Sequence, residues 1–137
     1  LLKTLVEPLE VIRDLKLNRP LGSRFGAEKF KRLESWRSLR SLRNIRKNIA
    51  SLETFYTRSP LDQLLIEGAN VNILDNFSLV NKHLASITSP MEDTIQTEAG
   101  YQALRDLARS LSKLHSALES SIIQSGIHLG FNSRDGD

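Results

Sequence analysis

The sequence predicts an all-α protein, a helical bundle of about four to five helices with one long basic helix. Leucine occurs 23 times among the 137 residues and valine only four times. Apolar residues recur at spacings of three and four rather than two, which is the period of an amphipathic helix. We expect a single bundle domain over residues 1–126, followed by a flexible C-terminal tail over residues 127–137.

The first predicted helix carries an apolar face at helical spacing, formed by Leu2, Leu5, Leu9 and Ile12. Pro8 either kinks this helix or marks its first turn, because proline has no N–H for an interior hydrogen bond. Residues 17–26 contain Pro20, Gly22 and Gly26 and are predicted to form a loop.

The next predicted helix is long, over about residues 27–57. Its apolar residues keep a three-four rhythm that gives one narrow seam, namely Leu42, Ile45, Ile49, Leu52 and Tyr56. A helix of this length, at about 1.5 Å per residue, exceeds the width of a small domain, so its end should protrude or meet another subunit.

Two later helix starts share a pattern of serine, proline and an acid, Ser59-Pro60-Leu61-Asp62 and Ser89-Pro90-Met91-Glu92. In both, serine is predicted as the N-cap and proline as the first helical residue. Gly68 should end the first helix after two turns, and another helix is expected over about residues 71–88.

The helix that starts at Pro90 is predicted to bend near Gly100 and to end at Gly126. Its second part carries the most regular apolar stripe of the chain, formed by Leu104, Leu107, Leu111, Leu114, Leu118 and Ile122.

The composition excludes several classes of site. Without cysteine there is no disulfide framework, no thiolate metal site and no cysteine nucleophile. No apolar run approaches the roughly 18–20 residues that span a bilayer, and no signal-peptide pattern is present, so we expect a cytoplasmic protein.

His83, His115 and His128 do not cluster, and we expect His115 to be half-buried and hydrogen-bonded. We therefore predict no enzyme, no catalytic residue, no metal and no cofactor.

The charge is distributed unevenly. Residues 1–58 hold 14 Lys and Arg against 6 Asp and Glu, whereas residues 59–137 hold 5 against 10. The total of +3 therefore conceals a basic first part and an acidic second part. Such a split indicates an anionic partner or head-to-tail self-association.

A cationic stripe opposite the apolar seam of the long helix is the candidate site, because guanidinium groups in a row suit phosphates. We predict nucleic-acid contacts by Arg24, Lys29, Arg32, Trp36, Arg37, Arg40, Arg43, Arg46 and Lys47. Trp36 could stack on a base or be a packing residue, and the stripe could be a solvated face without a partner. The loop before the helix could hold a phosphate at Ser23 and Arg24, or form an ordinary turn.

A small, helical, cysteine-free chain with an arginine-rich helix from Arg32 to Lys47 resembles the small subunits of CRISPR interference (type I effector) complexes. The resemblance implies a non-catalytic helical bundle that contacts single-stranded DNA or the guide–target duplex. It also implies protein subunits of a larger assembly as partners, in multiple copies. We expect no membrane partner, because the apolar seam opposite the arginines is narrow and suits a helix better than lipid.

Two functions are thus expected from the sequence. The first is a nucleic-acid-binding subunit of a larger nucleoprotein complex. The alternative is a structural or adaptor protein, such as a viral or filament component, whose basic helix docks on an acidic protein surface.

Overall fold

In the computed structural model, residues 2–26 and 41–126 are described, and every regular element among them is helical. The prediction of an all-α bundle is confirmed. The elements are α1 (Leu2–Val11), a π-helix π1 (Ile12–Asn18), α2 (Arg19–Leu21), α3 (Ser41–Arg58), α4 (Leu61–Leu64), α5 (Ala69–Ser86), α6 (Met91–Thr94) and α7 (Glu98–Gln124).

The core forms around α7, which pairs most extensively with α5 and also contacts α1 and π1. The predicted apolar stripe of α7 is fully buried, from Leu104 to Ile122. The predicted seam of α3 is buried as well, and its Tyr56 lies 5.9 Å from the ring of Phe77 on α5. Apolar periodicity therefore identified the core-facing sides of both helices correctly.

The prediction of a loop over residues 17–26 is wrong in its first part, because helical structure continues to Leu21. The backbone N–H of Arg19 bonds to the carbonyl of Asp14, the wide spacing of a π-helix. Pro20 then falls in the first turn of α2, where a missing N–H costs little. Gly22, with a φ of 70°, ends the helical run, and the connecting loop is 22–26.

The two predicted serine caps have different outcomes. The Ser59 hydroxyl accepts the backbone N–H of Leu61 at 3.4 Å, a long bond of the predicted kind, although α4 itself begins after Pro60. The predicted cap at Ser89 is wrong, because α6 begins after Pro90 without a side-chain cap. α4 makes only one turn, and Gly68, with a φ of 86°, precedes α5 rather than ending α4. Helices as short as α4 and α6 depend mainly on the surrounding core for their stability.

The predicted bend at Gly100 is instead a break three residues earlier. α7 begins at Glu98, and the Thr97 side chain accepts a hydrogen bond from the Gly100 backbone N–H. A Cβ on Gly100 would overlap the carbonyl oxygen of Thr94, so the glycine allows the end of α6 to approach the first turn of α7.

The long basic helix is described only from Ser41 to Arg58. The part predicted over 27–40 and the tail over 127–137 lie outside the described residues.

Candidate functional site

The candidate site is built around Arg105, a half-buried residue of α7. Its Nη1 donates to Oδ1 of Asn18 at 2.9 Å, and its Nη2 donates to the Tyr101 hydroxyl at 2.8 Å and to the Gly22 carbonyl. The guanidinium carbon also lies 5.2 Å from the centroid of the Tyr101 ring. One arginine thus fixes the end of π1 and the start of the 22–26 loop against α7.

A cleft of about 420 Å³ opens between this loop and α7. Its lining includes Arg24, Phe25, Glu98, Tyr101, Arg105 and Arg109. The rings of Phe25 and Tyr101 pack in a T-shaped arrangement at a centroid distance of 5.7 Å, which gives the cleft an aromatic wall. We call this site the arginine cleft.

The charge of the arginine cleft is positive, because three arginines face one glutamate, Glu98. Arg109 pairs with Asp106 one turn back at 2.8 Å, and both side chains are well exposed. Arg24 is exposed and has no ion-pair or hydrogen-bond partner among the described residues. The cleft therefore offers one positioned guanidinium and two that can reorient toward an anion.

Beyond the cleft, two charged residues of π1 pair with each other. Arg13 holds Asp14 through two hydrogen bonds of 2.8 and 3.0 Å. The Arg13 guanidinium holds the pKa of the Asp14 carboxyl below its usual range, with smaller contributions from Asn18 and His115. The same hydrogen bond raises the pKa of Arg13.

His115 is half-buried and its Nε2 lies 2.8 Å from Oε2 of Glu10, across the α1–α7 contact. The prediction of a half-buried, hydrogen-bonded histidine is confirmed. Among residues 2–26 and 41–126, no group of three or more His, Cys, Asp or Glu residues is placed to hold a metal ion.

The structure places four of the nine predicted site residues. Arg24 lines the arginine cleft, whereas Arg43, Arg46 and Lys47 lie exposed on α3 and do not line it. Arg46 donates to the carbonyls of the last turn of α5 and its C-cap residue, at 2.9 and 2.5 Å. Arg46 therefore caps the C-terminal end of α5, a structural role that differs from the phosphate contact predicted for the cationic stripe. Five predicted site residues lie outside the described residues, namely Lys29, Arg32, Trp36, Arg37 and Arg40.

The sequence reasoning missed Tyr101, Arg105 and Arg109. A signal was present, since the three residues follow one another at intervals of four and so share one face of α7. Their meeting with the 22–26 loop was not readable from the sequence, because it joins segments more than eighty residues apart.

The fold and the cleft define a class, an all-α bundle with an arginine-lined, aromatic-walled cleft at one end of its longest described helix. The family follows from comparison with known proteins. The sequence model of the peptidase family described as Imelysin matches residues 1–118, and the chain belongs to that family. Neither curated proteins nor solved structures give a match to this chain.

Family membership overturns the resemblance to CRISPR small subunits, which is wrong. The nucleic-acid-binding function inferred from the basic helix is wrong with it, and the structural adaptor is not supported either. The physical error was to treat size, helical class and charge as a family signature, although many unrelated bundles share all three. No helix among residues 2–26 and 41–126 is long and apolar enough to cross a membrane.

Proposed function

We propose that this imelysin-family chain is a non-catalytic binding protein, and that its arginine cleft takes a small ligand carrying carboxylate or phosphate groups. The observation that carries the proposal is Arg105, which is fixed by Asn18, Gly22 and Tyr101 in a cleft that two further arginines line. A guanidinium held in this way loses little side-chain entropy when it binds an anion.

The size and lining of the cleft support a small ligand. Its volume of about 420 Å³ falls in the range of small-molecule sites. The Phe25–Tyr101 pair supplies an apolar wall, so an anion bound there would be partly shielded from water, and its attraction to the arginines would be stronger than at an open surface.

The absence of catalysis is part of the proposal. His115 is engaged by Glu10 across the contact between α1 and α7, and Arg13 and Asp14 are bonded to each other. A general base needs a nucleophile within hydrogen-bond reach, and these groups instead hold one another.

Calorimetric titration with citrate and with inorganic phosphate tests the binding. We expect the double variant Arg24→Gln/Arg109→Gln to bind either anion at least about tenfold more weakly than the wild type. The matched control is Arg43→Gln/Lys47→Gln, which removes the same charge from an exposed face of α3 outside the cleft and should leave the affinity within about twofold.

Equal losses in the two double variants would contradict the proposal, because they would indicate a response to net charge rather than to the cleft. Failure of both anions to bind the wild type at millimolar concentration would also contradict it. The non-catalytic part is tested separately with a fluorogenic casein substrate, where cleavage above the buffer rate by the purified chain would overturn that part.

A further inference from the structure

Two adjoining cavities lie along α3, away from the arginine cleft. The first is lined by α3 and the turn after it, and the second by α1, π1 and α3. One cavity of about 670 Å³ is lined by Ala50, Phe55, Arg58 and Pro60, among others. A neighbouring cavity of about 570 Å³ is lined by Pro8, Val11, Leu52 and Phe55, among others. Ser51 and Phe55 line both cavities, so the two adjoin along α3, and we call them together the α1–α3 groove.

The floor of the α1–α3 groove is apolar and open to solvent. Phe55 is 37% exposed and Val11 is 43% exposed, although both stand next to a well-formed core. Large exposed apolar side chains that border a cavity are typical of binding surfaces rather than of ordinary protein surface. The groove therefore has the features of a site for an apolar ligand.

The charged groups of the groove are all cationic among the described residues that line it. Arg58 stands at the α3 C-terminal end, is exposed, and has no ion-pair partner among the described residues. Lys16 lies on π1 at the other end of the groove, and its Nζ donates a hydrogen bond to Oδ1 of Asn48 at 2.7 Å. A ligand that fits this charge pattern has an apolar body and an anionic end.

We propose that the α1–α3 groove binds a long-chain carboxylate, with the acyl chain over Phe55 and the carboxylate at Arg58. Along α3, the lining residues run from Asn48 to Arg58, a span of about 15 Å at 1.5 Å per residue. That span suits an extended chain, and the cavity volumes fall within the range of small-molecule sites. The groove shares no lining residue with the arginine cleft, so this inference stands independently of the anion proposed for the cleft.

The test compares laurate, kept below its micellar concentration, with dodecanol, kept below its aqueous solubility, each titrated into the whole chain by calorimetry. The two probes share an acyl chain, and only laurate carries the carboxylate. We expect Phe55→Ser to weaken both probes by about tenfold, because each loses its apolar floor. We expect Arg58→Gln to weaken laurate by about fivefold and to leave dodecanol unchanged.

Two controls match these variants. Val71→Ser removes an exposed apolar side chain from α5 outside the groove, and Arg43→Gln removes an exposed cation of α3 outside it. Neither should change the affinity for laurate. Arg58→Gln alters only an exposed side chain, so it decides the carboxylate end even if Phe55→Ser fails to fold.

Three results would overturn the proposal. The first is that the wild type does not bind laurate, and the second is that Arg58→Gln weakens laurate and dodecanol equally. The third is that an acidic amphipathic peptide helix displaces laurate and binds more tightly than it, which would assign the groove to a protein partner.

Discussion

Arg105 and Arg109 stand one turn apart on α7, and the structure predicts very different consequences for the same conservative change. Lysine keeps the positive charge in both positions but cannot reproduce the planar fork of a guanidinium. We expect Arg105→Lys to destabilise the protein by about 2–3 kcal/mol. We expect Arg109→Lys to change the stability by less than about 0.5 kcal/mol.

The larger magnitude comes from the contacts of Arg105. Its guanidinium donates to Asn18, Gly22 and Tyr101, and a lysine can retain at most one of these bonds. A hydrogen bond from a charged group contributes about 1.5–3 kcal/mol, and partial exposure of this side chain reduces each of the two lost bonds to about 1–1.5 kcal/mol. Arg109 pairs only with the exposed Asp106, a bond that a lysine can also make.

Urea unfolding followed by circular dichroism measures both variants. The free energy of unfolding of a protein of this size falls by about 1–3 kcal/mol per molar urea. Arg105→Lys should therefore lower the urea midpoint by roughly 1 M or more without changing this slope. Equal midpoints for the two variants would refute the reasoning, since they would mean that Arg105 does not hold π1 and the 22–26 loop to α7.

Three further predictions use the same measurement. Arg46→Gln should lower the free energy of unfolding by about 1–2 kcal/mol, because it removes the cap of α5. Arg43→Gln on the same helix should lower it by less than about 0.5 kcal/mol. Similar losses in the two variants would contradict the capping role of Arg46. Gly100→Ala should destabilise the protein by about 1–3 kcal/mol, although alanine has the higher helix propensity, because the added Cβ would overlap the Thr94 carbonyl. A gain in stability would disprove the close approach of α6 to α7. Asp14→Asn should cost less than about 1 kcal/mol at pH 7, because Asp14 is half-exposed. The folded pKa of Asp14 is lowered, so its contribution is present above the unfolded pKa and lost as pH falls through the folded pKa; a cost that persists at acid pH would contradict it.

Apolar periodicity was sufficient to predict the helical class and the buried faces of α3 and α7. Those features depend on local spacing alone, since a residue at every third or fourth position must share a face. The same reasoning failed at the π-helix, because Pro20 and Gly22 are breakers in an α-helix whereas the wider π1 hydrogen bonds carry the chain on to Leu21.

The site was predictable only in part. Arg24 was identified from its loop, but its cleft depends on a contact with α7 that no local pattern encodes. The cationic stripe was predicted from the number of basic residues. That number cannot distinguish Arg46, which caps a neighbouring helix, from an arginine that faces solvent. Charge composition therefore could not show which arginines hold the fold together and which face solvent.

The most direct test of the anion-binding account is a titration of the isotopically labelled protein with citrate, followed by amide chemical shifts in NMR. The account predicts that the largest shifts fall on residues 22–26 and on the 98–109 segment of α7, and that the exposed face of α3 around Arg43 stays unchanged. Shifts that concentrate on α3, or that spread evenly over all cationic surfaces, would contradict it.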